Sequence, residues 1–299
     1  MPAEDPAMND ASVGGGNAEN ASTGAAVDEA VRVDLSTSSV LGDQATAGLV
    51  SQSLVEAGRL LRRWSRQPEV ITSTLIFPIL LLLMYDLVLG RSLGAMQETD
   101  AIYGFVPMIA VAGAMYGAMG TAMSLYQERQ SGLLRRFWVL PIHRAAGLAG
   151  RLLAECGRAL AATIVVVVVG IALGLRFHEG WPGVIGVLIV PVIVIAGFTP
   201  VVVMVGVSSA GDKATELFAI VVLVGMFFNS GFVPVQNYPG WLQPVVRAQP
   251  MSCAIEAMRN FTVGGPVLVP FLQTVAWAVG LIAVFGVLAV RGYRRAVQS

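Results

Sequence analysis

Charged residues are scarce in this chain, and one basic residue type is almost absent. Of the 299 residues only 13% are Asp, Glu, Lys or Arg, whereas soluble domains carry about 25%. Lys213 is the single lysine, and every other basic residue is an arginine. With 55% hydrophobic residues and a mean hydropathy of +0.70, the composition excludes an ordinary soluble domain and predicts a polytopic membrane protein.

The residues that catalysis and metal binding require are also few. The chain has two histidines and two cysteines, Cys156 and Cys253, and no cluster with metal-ligand spacing. The two cysteines fall on opposite sides of the predicted bilayer, so we expect no disulfide. A P-loop needs Ser or Thr after its lysine, but Lys213 precedes Ala214. The sequence therefore predicts no catalytic residue, no metal site and no cofactor bound by this chain.

The start of the chain differs from the rest in charge and hydropathy. Residues 1–48 hold eight of the nineteen acidic residues but only one base, Arg32, and lack an apolar period. We expect a disordered acidic tail there. Residues 49–67 predict an amphipathic helix in the membrane interface, because arginines crowd the faces beside an apolar stripe. That stripe consists of Leu54, Ala57, Gly58, Leu61 and Trp64.

The remainder, residues 68–299, predicts a six-span membrane domain. Each apolar stretch is close to the ~20 residues that cross a bilayer, and the six lie near 70–90, 102–125, 148–174, 183–207, 217–235 and 267–290. Basic residues beside the spans divide fourteen to four, which places both termini in the cytoplasm. The fold class is thus an all-α polytopic membrane protein, with the interfacial helix 49–67 before span one. Short outer re-entrant helices are expected in residues 235–266, one of them capped by Ser252.

Several positions within the spans are candidates for contacts with substrate or with another helix. Gly113 and Gly117 allow close helix approach and predict a surface for a second permease. Glu155 and Arg158 share one helix face and are expected to neutralise each other. Pro191 and Pro200 predict a bent or broken fourth span. The candidate substrate pathway consists of Met115, Met119, Phe227, Phe228 and Asn229; ordinary packing is the alternative, with Asn229 bonded to a neighbouring span.

Residues 127–145, with the sequence QERQSGLLRRFWVLPIHRA, separate the second span from the third. Four apolar side chains form a ridge at helical spacing, and Arg135 and Arg136 flank it. The ridge consists of Leu133, Leu134, Phe137 and Trp138. Such a helix fits a groove on a partner protein. A basic loop lying on anionic lipid explains the composition equally well.

The same loop resembles the first cytoplasmic loop of type 2 ABC exporter permeases. The residues that carry the resemblance are Glu128, Arg129, Gly132, Leu133, Leu134, Arg136, Leu140, Pro141 and Arg144. Further stretches, among them Tyr238-Pro239-Gly240-Trp241 and Gly264-Gly265-Pro266, resemble permeases of the daunorubicin- and doxorubicin-resistance type, in particular mycobacterial ones. The resemblance extends over about residues 50–295 and leaves the acidic tail outside.

This resemblance implies that the loop docks on a separate, DrrA-like ABC ATPase dimer, which binds ATP and Mg. The implied ATPase-coupling residues are Glu128, Arg129, Gly132, Leu133, Leu134, Phe137, Trp138, Pro141 and Arg144. It also implies a second permease, DrrB-like or another copy of this chain, in a bacterial cytoplasmic membrane. The implied cargo is a complex lipid such as phthiocerol dimycocerosate, or an anthracycline-like antibiotic.

Other functions stay open at this point. The chain fits a permease for another envelope lipid or polysaccharide. An ion-coupled secondary transporter needs ionisable groups near the membrane midplane, where the spans have almost none. A third hypothesis is a membrane scaffold that recruits partners through the basic loop.

Overall fold

The computed structural model describes residues 49–85, 87, 102–131, 146–208 and 211–298, which form helices joined by short connections. The predicted tail, residues 1–48, lies outside them. The first helices are α1 (Leu49–Trp64), α2 (Pro68–Ile71), a π-helical segment (Thr72–Ile76), α3 (Phe77–Tyr85), α4 (Ile102–Gln130) and α5 (Ala146–Ala172). Next come α6 (Trp181–Gly206), α7 (Gly211–Phe227), a 3-10 turn (Val235–Asn237), α8 (Gln243–Ala248), α9 (Pro250–Val263) and α10 (Leu268–Gln298). The expected all-helical fold is confirmed for the described residues.

Helix length and hydropathy together identify the membrane-crossing elements. Within the described part of the chain, four helices are long and apolar enough to cross a bilayer: Ile102–Gln130, Gly147–Ala172, Trp181–Gly206 and Leu268–Gly292. The apolar stretch Thr74–Met84 in the first predicted span is shorter. The fifth predicted span, 217–235, has the wrong bounds: α7 begins at Gly211 and ends at Phe227. The helix stops there because Asn229 bonds the backbone that follows it.

Helix α4 is the central element of the bundle. In its most apolar window 72% of the residues are buried, compared with 11% for α10. Ala110, Ala114 and Ala118 are almost fully buried, and a Cβ added at Gly113 would lie 3.5 Å from the Pro78 ring. The small residues of α4 therefore admit helices of the same chain. The expectation that this span also faces a second permease stays a prediction.

The outward faces of the bundle are apolar. Side chains such as Leu80 on α3, Leu217 on α7 and Val284 on α10 are about 60% exposed. A continuous exposed surface of this kind is unstable in water and suits the hydrocarbon of a bilayer. The described residues thus form a multi-pass membrane protein.

Helix α1 packs on α5, and this contact buries only part of the apolar stripe of α1. Ala57 and Leu60 are buried against Ala154, while Leu54 is 57% exposed. The predicted amphipathic helix is confirmed as an element, but part of its apolar face covers protein.

Helix α6 runs without interruption from Trp181 to Gly206 and contains both Pro191 and Pro200. The expectation was a bent or broken span: the break is wrong, and the bend stays a prediction. Neighbouring helices surround this element, and such packing allows proline inside a membrane helix.

The contact between α6 and α10 generates the first testable prediction. A Cβ added at Gly197 would lie 2.6 Å from the Ala278 Cα, so Gly197→Val overpacks this interface and destabilises the protein by about 1–3 kcal/mol. Gly280→Val is the matched control, because nothing lies within 4 Å of a Cβ at Gly280. Thermal unfolding in detergent is the measurement. Equal midpoints for the two variants would contradict the close α6–α10 contact.

Candidate functional site

The last turn of α4 carries a carboxylate held by two other helices. Arg151 of α5 donates a hydrogen bond to Glu128 Oε2, and Arg63 Nη1 of α1 lies 3.7 Å from Glu128 Oε1. The side chains of Glu128 and Arg151 are only 12% and 10% exposed. Because water is largely excluded, each charge requires the other, and removing either one leaves an uncompensated charge.

Arg129 fixes the same turn to a third helix. Its Nη1 donates a hydrogen bond of 2.8 Å to the backbone carbonyl oxygen of Val207. Val207 is the C-cap residue of α6, whose last carbonyl groups have no partner within the helix. The guanidinium satisfies one of these carbonyls and also places a positive charge at the negative end of the α6 dipole.

The remaining predicted coupling residues lie outside the described residues. They are Gly132, Leu133, Leu134, Phe137, Trp138, Pro141 and Arg144. What the structure describes is the two ends of this loop, Ser131 after α4 and the first turns of α5. Glu128 and Arg151 pair across these ends and so join α4 to α5 where the loop begins and finishes.

A second group of buried charges joins the same two helices deeper in the bundle. Arg158 donates to Glu155 Oε2 through Nε at 3.1 Å and through Nη2 at 2.6 Å. Thr121 of α4 donates a hydrogen bond to Glu155 Oε1. The Glu155 side chain is fully buried and that of Arg158 is 6% exposed. The expected neutralisation of this pair is confirmed.

Arg158 also reaches the backbone of α4. Its Nη2 donates a hydrogen bond of 3.1 Å to the Ala114 carbonyl oxygen, and a side chain at Gly117 would occupy the position of the guanidinium. Gly117 is therefore needed to admit Arg158, a role that the small-residue pattern alone did not indicate.

Sequence reasoning missed the partners of these charges. Their spacing could have indicated a contact with another helix, because Arg151, Glu155 and Arg158 recur at i, i+4 and i+7 on one face of α5. Their partners on α4, Glu128 and Thr121, are seven residues apart and share one face of that helix.

The predicted substrate-pathway residues do not form a single surface. Met115 is buried in the core and Met119 is half-buried, whereas Phe227 and Phe228 are about half exposed at the end of α7. Asn229 is fully buried. Their assignment to the pathway stays a prediction.

Asn229 satisfies its amide within its own segment. Its side-chain oxygen accepts hydrogen bonds from the backbone N–H groups of Gly231 at 2.8 Å and Phe232 at 3.1 Å. Its side-chain nitrogen donates to the Met226 carbonyl. The expected bond to a neighbouring span is thus replaced by a local turn that ends α7.

The segment after α7 is held to α9 by side-chain hydrogen bonds. The hydroxyl of Ser252 accepts from the Ser230 backbone N–H at 3.2 Å and from Gln249 Nε2 at 2.9 Å. The short helix expected here is confirmed, but it begins at Pro250, so Ser252 lies inside α9 and is not its cap. Burial, with a smaller contribution from Glu256, raises the pKa of Cys253 to about 11, so this thiol stays protonated at neutral pH.

The fold and the ion pairs at the loop ends together define a class of protein. The chain is a multi-pass helical membrane protein with a basic loop whose ends are fixed by ion pairs. It belongs to the ABC-2 type transporter family, which it matches over residues 52–262. It is thus a permease subunit of an ABC transporter, and the resemblance seen in the loop is confirmed.

The chain is also similar in sequence to named permeases of ABC transporters. The chain is 38% identical over 265 residues to the probable doxorubicin resistance ABC transporter permease protein DrrC of Mycobacterium tuberculosis (strain ATCC 25618 / H37Rv), covering 88% of this chain and 96% of the relative. It is 29% identical over 253 residues to the daunorubicin resistance permease DrrB1 of Streptomyces coeruleorubidus, covering 84% and 88%. It is 22% identical over 188 residues to DrrB of the same Mycobacterium strain, covering 60% and 64%.

The buried pair on α5 leads to a second prediction. Arg158→Met leaves Glu155 charged and without its cation, and we expect a loss of roughly 3–5 kcal/mol of stability. Glu155→Gln combined with Arg158→Met removes both charges and should recover much of that loss. Thermal unfolding in detergent measures both, with the exposed Arg62→Met as control. A double variant no more stable than Arg158→Met alone would contradict the pairing.

Proposed function

We propose that this chain is the membrane-spanning permease of an ATP-driven exporter. It works with a separate, DrrA-like ATPase dimer that binds ATP and Mg, and with a second permease that is DrrB-like or another copy of the chain. The observation that carries the proposal is the Glu128–Arg151 pair. It ties together the two helices between which the coupling loop runs, so the bundle has a fixed point at which a partner can act.

The loop transmits closure of the ATPase in this proposal. Leu133, Leu134, Phe137 and Trp138 insert into a groove on the ATPase, while Gly132, Pro141 and Arg144 set the shape of the loop. Glu128 and Arg129 hold its first end against α5 and α6. Movement of the ridge then rotates or shifts α4, which contributes more residues to the main core than any other helix.

The proposed topology has six spans and both termini in the cytoplasm of a bacterium. The ends of α4 and α10 lie at the same end of the bundle, since a Cβ at Gly292 would lie 3.1 Å from Val207, the residue that Arg129 contacts. That agreement supports a cytoplasmic C-terminus beside a cytoplasmic loop. Residues 235–266 then lie on the outer side, with α9 as a re-entrant helix whose Ile255 and Met258 are buried.

The proposed cargo is a large hydrophobic or amphiphilic molecule. The relatives named above are resistance permeases for doxorubicin and daunorubicin, which supports an anthracycline-like antibiotic. A complex envelope lipid such as phthiocerol dimycocerosate has the same apolar character. Phe227 and Phe228 offer exposed aromatic area, and with Met115, Met119 and Asn229 they are our candidates for the pathway. Another lipid or a polysaccharide is the alternative cargo.

An ion-coupled secondary transporter has less support. Glu155 is a carboxylate buried in a span, as such a mechanism requires. Its charge is matched by Arg158 three residues away on the same helix, and both are fixed to α4. A pair locked in this way suits helix register better than ion exchange.

Replacing Phe137 by Asp tests the docking of the ATPase. A charge on the apolar ridge opposes insertion into an apolar groove, so we expect at least a tenfold loss of co-purified ATPase, about 1.4 kcal/mol. Trp241→Asp, which changes an exposed aromatic in the outer segment, is the control. The readout is the ATPase-to-permease ratio after affinity purification from membranes. An unchanged ratio for Phe137→Asp, at normal permease levels, would contradict docking through this ridge.

The cargo class is tested with the reconstituted complex. Inverted vesicles that contain permease and ATPase should accumulate doxorubicin or a long-chain apolar lipid when ATP is added. The accumulation should stop with a non-hydrolysable nucleotide and should continue with a proton uncoupler. Transport that stops with the uncoupler while ATP is present would favour the ion-coupled alternative.

A further inference from the structure

A groove lies between the outer segment and the start of α10, at the end of the bundle opposite Glu128. It encloses about 340 Å³. Its walls are Gly240, Gln243, Pro244, Arg247 and Ala248 from residues 240–248, and Gln273 from α10. Among the described residues, none of the coupling region or of the candidate substrate pathway lines it.

Two polar side chains in this groove have unused donors. Neither the Arg247 guanidinium nor the Gln273 amide has a bonding partner among the residues that the structure describes. Gln273 belongs to a helix whose first 23 residues, 268–290, are otherwise apolar apart from Thr274, which bonds the Pro270 carbonyl at 2.8 Å. A primary amide inside a membrane helix needs a hydrogen-bond partner, and Gln273 lines the same groove as the Arg247 cation.

The groove has a fixed shape. Trp277 Nε1 of α10 donates a hydrogen bond of 2.8 Å to the Ala248 carbonyl and so joins α10 to the end of α8. Gln243 Nε2 donates to the backbone carbonyls of Tyr238 at 2.9 Å and Gln236 at 3.3 Å. These bonds use the amide N–H groups of Gln243 internally, which leaves Arg247 and Gln273 as the donors for a ligand.

The surroundings of the groove are apolar and exposed. Val269, Gln273 and Trp277 recur every four residues and therefore lie on one face of α10. Val269 is 62% exposed and Trp277 is 42% exposed. Val245 of α8 is also 62% exposed. A ligand that fills the groove with its polar part would place an apolar part against this face.

We propose that this groove binds the phosphate group of an anionic phospholipid in the outer leaflet. Arg247 supplies the charge that complements the phosphate, Gln273 donates an additional hydrogen bond, and the acyl chains lie along Val269 and Trp277. The assignment to the outer leaflet rests on the proposed topology. Binding itself does not depend on ATP hydrolysis or on the identity of the cargo.

The test measures lipid retention by the purified full chain. Permease in detergent is incubated with equal amounts of phosphatidylglycerol and phosphatidylcholine, and native mass spectrometry counts the bound molecules of each. We expect selective retention of phosphatidylglycerol and a loss of about tenfold in its affinity in Arg247→Gln, the size expected for one hydrogen bond to a charged group. Gln273→Leu should give a smaller loss in the same direction.

Arg259→Gln is the matched control, because Arg259 also lies in the outer segment but outside the groove. Equal losses in Arg247→Gln and Arg259→Gln, or equal retention of the two lipids by the unchanged chain, would overturn the proposal. A second arm adds an amphiphilic cargo candidate that carries a phosphate or carboxylate. The unchanged chain then gives the concentration at which this molecule displaces phosphatidylglycerol, and Arg247→Gln gives the concentration at which the molecule itself binds. If the first concentration is lower than the second, the groove holds cargo instead of a membrane lipid. That result contradicts the proposal. No ATPase is present in the lipid-retention experiment, so its failure does not bear on the proposed export function. A failure of the export experiment likewise does not bear on lipid retention.

Discussion

The interface between α4 and α5 depends on charges that are stable only as pairs. Glu128 of α4 pairs with Arg151 of α5, and the Glu155–Arg158 pair of α5 is hydrogen-bonded to Thr121 and Ala114 of α4, all where solvent is largely excluded. A shift of one helix along the other would separate Glu128 from Arg151 and break the hydrogen bonds to Thr121 and Ala114. Such a separation costs about 3–5 kcal/mol for a buried pair. The pairs therefore favour one register of the two helices. Since the loop 132–145 begins at the end of α4 and finishes at the start of α5, that register also fixes where the loop leaves the bundle.

Several other polar side chains of the bundle are satisfied within their own helix, and the outer faces of the bundle are apolar. Thr163, Thr199 and Thr262 each donate a hydrogen bond to the carbonyl four residues before them, which suits a bilayer that has no water to offer. The α4–α5 charges differ from these threonines, because they are buried and bond across helices. A membrane bundle has little hydrophobic driving force between its helices, so these polar contacts contribute strongly to holding α4 and α5 together.

Much of the architecture followed from the sequence, because apolar runs of spanning length and the residues of the loop are local signals. The positions of α4, α5, α6 and α10 and the family belong to this group. Other features depend on contacts that no local pattern specifies. The end of α7 is set by the turn that Asn229 forms. In the sequence, the residues around Asn229 look like the continuation of an apolar run. Gly113 and Gly117 indicate that something packs closely on α4, but not whether it is the same chain or another. For the site, Glu128 and Arg129 were found through the loop resemblance, whereas Thr121 became visible as a partner only once the two helices were side by side.

The most direct test of the account reverses the charges at the loop ends. Glu128→Arg alone should abolish cargo-stimulated ATP hydrolysis and export in the reconstituted complex while the ATPase still co-purifies, because the contact to α5 is lost and the ridge is intact. Glu128→Arg combined with Arg151→Glu restores an ion pair in the opposite sense and should recover a large part of both activities. Full activity in the single variant, or a double variant no more active than either single change, would contradict the claim that this pair carries motion from the loop into the bundle.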